Sequence, residues 1–120
     1  MIQVTRHDDI PGEQRAPGVI RKYTNDRSTG AGGITTGVVY MEPGGTIPPH
    51  THLVEEAITV TEGRVQILVG QETAEVDAGA SFVAPGNTVH AVRNIGDSRA
   101  VLVIAFPSIE VAAFPANVDF

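Results

Sequence analysis

A chain of 120 residues fits one domain and can bury enough surface to fold alone. Hydrophobic residues at 42% and charged residues at 18% exclude a disordered chain, and a net charge of −6 argues against nucleic acid or an anionic membrane as partner. Cysteine is absent, which excludes disulfides and thiolate metal sites, so any metal must be held by nitrogen and oxygen.

Thirteen glycines and eight prolines suit short strands joined by tight turns better than a helical bundle. The N-terminal segment lacks the apolar region of a signal peptide, and no run approaches the length of a membrane span. The expected location is the cytoplasm. Ile2 to Val4 forms a short apolar alternation, followed by a polar loop rich in proline and glycine. Val19 to Tyr23 reads as a strand. Asn25 to Gly33 is turn chemistry, a loop expected to rim a site. Ile34 to Met41 is a second strand, broken by Glu42, Pro43, Gly44 and Gly45.

Val54 to Thr61 and Arg64 to Val69 read as a hairpin closed by Glu62 and Gly63. Gly70 and Gln71 close a second hairpin onto Thr73 to Val76. Ser81 to Ala84, Val89 to Asn94 and Arg99 to Phe106 complete eight or nine short strands, a pattern of sandwiches and small barrels. Ser108 to Phe114 is expected to form one or two helical turns capped by Ser108. The tail from Pro115 to Phe120 is expected to pack on the barrel or on a partner.

His50, His52 and Glu56 share parity, so on one strand they project to one face. Glu55 has the opposite parity and is the weaker candidate. Imidazoles and a carboxylate on one wall suit a divalent transition metal, and His90 is the natural complement from a facing strand. His7 stands apart and reads as a solvated histidine.

Gly44, His50, His52, Glu56 and Gly63 form one spaced segment, and Gly79, Pro85, His90 and Asn94 form a second. Together they resemble the two signature motifs of the cupin superfamily, separated by a short intermotif stretch. One position departs: Asn87 stands where the family usually has glycine, and asparagine tolerates the positive φ such a turn needs. The resemblance implies an all-β fold, a double-stranded β-helix or jelly-roll barrel. One domain would span residues 1–120, with a core barrel over about 19–106. It also implies that His50, His52, Glu56 and His90 ligate one metal per chain, with positions left open for water or substrate. Manganese or iron suits such a set best. Nickel, cobalt, copper and zinc remain open.

Tyr40, Ile58, Phe82 and Val92 are read as pocket wall, giving an apolar cavity for a small organic substrate. Arg21, Arg64 and Arg93 are read as solvated surface charges in preference to carboxylate clamps. The leading functional expectation is a metal-dependent oxidoreductase of dioxygenase type. Two alternatives stand beside it: a non-redox lyase, isomerase or cyclase, and a ligand sensor without turnover. The terminal extensions, Met1 to Val4 and Pro115 to Phe120, are expected to cover strand edges in a homodimer.

Overall fold

The computed structural model describes residues 2–120. It contains eleven strands: β1 (Glu13–Ala16), β2 (Val19–Asn25), β3 (Thr35–Met41), β4 (Thr46–His52), β5 (Glu56–Glu62), β6 (Arg64–Val69), β7 (Glu72–Asp77), β8 (Ser81–Ala84), β9 (His90–Asn94), β10 (Ala100–Phe106) and β11 (Ala113–Pro115). They form two antiparallel sheets in the orders β1-β2-β3-β10-β5-β8 and β11-β4-β9-β6-β7. Two single 3-10 turns, His7–Asp9 and Arg27–Thr29, are the helical elements among the described residues. The all-β jelly roll expected from the motifs is the fold observed.

The core lies between the sheets and follows from period-two alternation. On β5, Glu56, Ile58 and Val60 are buried between more exposed neighbours. On β10, Leu102, Ile104 and Phe106 face the same interior, which Val39, Met41, Val65, Ile67 and Val92 complete. Each such side chain contributes about 1.5–3 kcal/mol on burial. The β7 edge carries Glu72, Glu75 and Asp77, charges that discourage edge-to-edge association.

Three local expectations are corrected. β5 and β6 do not form a hairpin, because they belong to different sheets. The chain turns a corner at Gly63, whose φ is +85°, and a Cβ there would lie 2.8 Å from Ala100 Cα. A turn glycine permits a corner as readily as a hairpin, and burial of both strands decides for the corner. The Gly70 hairpin does form, with Val69 opposite Glu72.

Ser108 to Phe114 forms no helix. Ser108 Oγ accepts a hydrogen bond from the Glu110 amide at 3.0 Å, which satisfies that amide locally. The chain then pairs β11 against β4, with Ala113 opposite His52 and Pro115 opposite His50. Backbone pairing with a distant strand overrides the weak local helix signal. The tail therefore packs on its own barrel, and the Ala116 amide donates to the Pro49 carbonyl at 3.0 Å. At the other end, Ile2 and Val4 stand exposed outside any strand.

The third correction concerns His50, His52 and Glu56, which do not share one strand. The histidines end β4 in one sheet, and Glu56 opens β5 in the other. Residues 53–55 turn the corner between sheets, so Glu56 faces the histidines across the barrel. The loop after β8 packs on this corner. The Asn87 amide donates to the His52 carbonyl at 2.7 Å, and a Cβ on Gly86 would meet the Leu53 carbonyl oxygen at 2.8 Å. Asn87 has φ +59°, the one non-glycine residue with positive φ among those described, as its place in the motif anticipates.

Candidate metal centre

β4 and β9 pair with His50 opposite His90, which sets these two imidazoles side by side on the inner face. His52 lies two residues along β4 on the same face, and Glu56 enters from the facing sheet. One ligand atom from each of the four residues lies within 4.8 Å of all the others. His90 Nε2 stands 2.9 Å from Glu56 Oε1, His52 Nε2 stands 3.5 Å from the same oxygen, and His50 Nε2 lies 3.1 Å from His52 Nε2. His52, Glu56 and His90 are buried.

Backbone carbonyls choose the tautomers. His50 Nδ1 donates to the Pro48 carbonyl at 2.8 Å, His52 Nδ1 to the Ala112 carbonyl at 3.1 Å, and His90 Nδ1 to the Thr88 carbonyl at 3.0 Å. A neutral imidazole that donates through Nδ1 presents a bare lone pair at Nε2. The Nε2 atoms of His52 and His90 thus lie against Glu56 Oε1, and that of His50 lies against His52. Two bare lone pairs 3.1 Å apart repel unless a cation lies between them. This donor set fits a divalent transition metal: three neutral nitrogens, one carboxylate oxygen, and second-ring nitrogens anchored to the backbone. Phe106 packs edge-on against His52 with ring centroids 4.9 Å apart and holds its plane.

Electrostatics agree. Burial, reinforced by the neighbouring His90 and His52 and opposed by the hydrogen bond His50 donates to the Pro48 carbonyl, lowers the His50 pKa to about 4. Burial also lowers His52. At His90 burial is the largest influence and acts downward, but the hydrogen bonds to Glu56 and to the Thr88 carbonyl, together with the Glu56 charge, outweigh it and the net direction is upward.

The cluster sits in a cavity of about 360 Å³. Ile58 and Val92 line it, together with Val39, Leu102, Ile104 and Phe106. Tyr40 and Phe82 do not. Tyr40 lies on the opposite pleat from Val39 and turns outward, where Lys22 and Arg99 approach its ring at 5.8 and 5.2 Å. Phe82, on the edge strand β8 opposite Ile58, packs against the core beyond the cavity. The loop from Asn25 to Gly33 is folded on itself by an Asp26 capping box and lies away from the cavity wall.

Arg64 pairs with Asp77 at 3.2 Å on the exposed face of the hairpin. Arg93 lies over the Phe120 ring at 4.4 Å. Arg21 is different, and its reading as a surface charge is corrected: it lines the cavity with its side chain only 17% exposed. Arg15 lines the mouth beside it. Val19-Ile20-Arg21-Lys22 offers one aliphatic residue and one cation to each face of β2, so alternation alone does not choose which arginine or lysine turns inward.

The fold and the site together define a cupin. The Cupin domain family model matches residues 37–106, more than half of the chain, and the chain belongs to that family. Protein SchB of Streptomyces halstedii is 29% identical over 102 residues, spanning 84% of this chain and 74% of that protein. Polyketide synthase CurC of Streptomyces cyaneus is 30% identical over 96 residues, spanning 79% of this chain and 62% of that protein. Among solved structures, the polyketide cyclase RemF from Streptomyces resistomycificus superposes with a TM-score of 0.83 at 21% identity, covering 99% of this chain and 88% of RemF. An oxalate oxidase superposes with a TM-score of 0.74 at 26% identity, covering 82% of this chain and 55% of that one.

Proposed function

We propose that this cupin is a metal-dependent enzyme that closes a ring in a small polyketone substrate without net oxidation or reduction. The observation that carries the reading is the convergent His50, His52, Glu56 and His90 set within a cavity whose remaining wall, apart from Arg15 and Arg21, is apolar. When bound there, a divalent ion supplies Lewis acidity toward carbonyl oxygens. The chain's own residues supply the rest. His50, His52 and His90 offer Nε2 lone pairs, and Glu56 offers the negative charge that favours a cation. Val39, Ile58, Val92, Leu102, Ile104 and Phe106 exclude water and favour a folded conformation of an extended chain.

Beyond the four ligands, the cavity wall holds no further histidine or carboxylate among the described residues. That suits ring closure of a polyketone. A methylene between two carbonyls is already acidic, so the reaction needs carbonyl polarisation and conformational control more than a strong base. In such a closure a carbon–carbon bond forms between that carbon and a distant carbonyl carbon, and dehydration releases one water. The likenesses to the polyketide synthase CurC and the polyketide cyclase RemF support this choice of substrate class.

Nonane-2,4,6,8-tetraone is a suitable probe, because closure of its C3 methylene onto the C8 carbonyl with loss of one water gives 2,4-dihydroxy-6-methylacetophenone. Metal-loaded protein is expected to accelerate formation of this acetophenone under strict anaerobiosis, and His52→Ala protein is not. Equal rates with and without protein would overturn the cyclase reading. A second reading, oxidoreductase chemistry with manganese or iron, is favoured by the three-histidine, one-glutamate composition and the likeness to oxalate oxidase. Substrate-dependent oxygen consumption that disappears in His52→Ala protein would select it.

A further inference from the structure

Arg21 sits within the cavity for a reason the metal centre does not supply. Strand register places Arg21, Val39, Leu102 and Val60 in one row across β2, β3, β10 and β5. The next row holds Tyr23, Gly37, Ile104 and Ile58. Glu56 lies one step further along β5. Each two-residue step is about 7 Å, so the Arg21 backbone is two rows from the metal ligands. Its guanidinium lies over the ring of Tyr23, the residue one row nearer the ligands, with Cζ 4.1 Å from the ring centroid.

This guanidinium is incompletely used. Nη2 donates to Glu13 Oε2 at 3.2 Å, in a pair whose acid is 54% exposed at the mouth. Nε is buried and has no hydrogen-bond partner. An unpaired buried donor on a cation is costly, and a charged acceptor removes that cost most effectively. Arginine is also suited to a planar acceptor, because its fork matches two oxygens at once. Between this cation and the metal ligands the wall is aliphatic and aromatic.

We infer that Arg21 is a second recognition point in the cavity, binding a carboxylate or comparable planar oxyanion that the substrate carries remote from its metal-chelating oxygens. The inference rests on the metal reading above and adds a substrate feature to it: an apolar body with a chelating oxygen at one end and an anionic group at the other. Arg21 positions the substrate and takes no part in bond making.

The test uses catechols, which chelate metals, with and without a tethered acid. In calorimetric titrations of manganese-loaded protein, 3,4-dihydroxybenzoate, 3,4-dihydroxyphenylacetate and 3-(3,4-dihydroxyphenyl)propionate are compared with neutral 4-methylcatechol. The tightest acid is expected to bind about tenfold better than 4-methylcatechol. Arg21→Met is expected to erase that gap while 4-methylcatechol affinity and metal content stay unchanged. Should Arg21→Met lose metal or fold, Arg21→Lys carries the test: it keeps the charge, loses the fork, and is expected to narrow the gap. A gap absent from the wild type, or undiminished in the soluble variant, overturns the inference. If wild-type protein takes up none of manganese, iron, cobalt, nickel, copper or zinc, the metal reading fails by itself. The arginine is then judged in metal-free protein by 2-naphthoate against 2-naphthylmethanol, with preference for the acid expected and equal binding overturning it.

Discussion

The metal-ligand cluster and the Arg21 region of the cavity treat polar groups in opposite ways. At the cluster every second-ring nitrogen is tied to a backbone carbonyl, from Pro48, Thr88 and Ala112, so each imidazole has one tautomer and one direction. At Arg21, one donor reaches a half-exposed carboxylate and another is left without a partner. The first arrangement is preorganised and expects a compact, invariant occupant. The second leaves hydrogen-bonding capacity for a guest that comes and goes. A rigid centre beside an adaptable cationic contact is what a site requires if one part does chemistry and the other sorts substrates.

The largest expected effect lies at the rigid centre. His52→Ala removes a ligand and its contact with Phe106. Metal affinity is expected to fall by more than about 100-fold, a larger loss than removal of an outer-shell partner. Elemental analysis of protein purified without chelators would show near-stoichiometric metal in the wild type and almost none in the variant. Equal metal content would show that these four residues are not the ligand set.

Next in size is the contribution of the C-terminal strand. Chain termination after Ser108 removes β11 and the Ala112 carbonyl that orients His52, while every ligand remains. Metal affinity is expected to weaken by about 10- to 100-fold, measured by chelator competition, with the far-ultraviolet spectrum still that of a β protein. An unchanged affinity would mean that the imidazole is oriented well enough by Phe106 alone.

These two regions also differ in how far the amino-acid sequence discloses them. The candidate ligands sit in two short segments with glycine and proline at their ends, so local spacing singles out His50, His52, Glu56 and His90, and the structure brings these four together. Even there the geometry differed. The shared parity of Glu56 with the histidines suggested one strand, yet a corner at residues 53–55 carries Glu56 to the other sheet and produces the same convergence. Asn87 was legible because positive φ is a property of single residues. The contribution of Ala112 was not, because it depends on a backbone carbonyl sixty positions from His52. Arg21 was hidden for a related reason: β2 alternates evenly, and only its pairing with β3 tells which face is inside.

Acidification sharpens the comparison with a smaller effect. In metal-free protein, His50 resists protonation until about pH 4, whereas in the unfolded chain it takes a proton near 6.5. The unfolded state then binds more protons, so this histidine costs stability progressively as pH falls from about 6.5 toward 4. His52 acts in the same direction. His90, raised by Glu56, acts oppositely: its contribution is full below the unfolded value and fades as pH rises through the folded one. Two histidines against one give a net expectation that the metal-free melting temperature declines between about pH 6.5 and 4. A flat profile would indicate that the cluster relaxes to admit water.

The smallest expected effect tests the Arg21 side of the comparison from its other partner. Glu13 accepts from Arg21 at 3.2 Å and lies 3.7 Å from Arg15, so it competes with any anion that enters. Its carboxylate is 54% exposed, and an ion pair so placed is worth no more than about 1 kcal/mol. Glu13→Gln should therefore tighten binding of the dihydroxyphenyl acids by roughly two- to fivefold, leave 4-methylcatechol unaffected, and lose much of its effect in high salt. Weaker acid binding in this variant would mean that Glu13 orients the guanidinium toward the guest and does not compete with it. Glu13 would then be part of the recognition site instead of its gate.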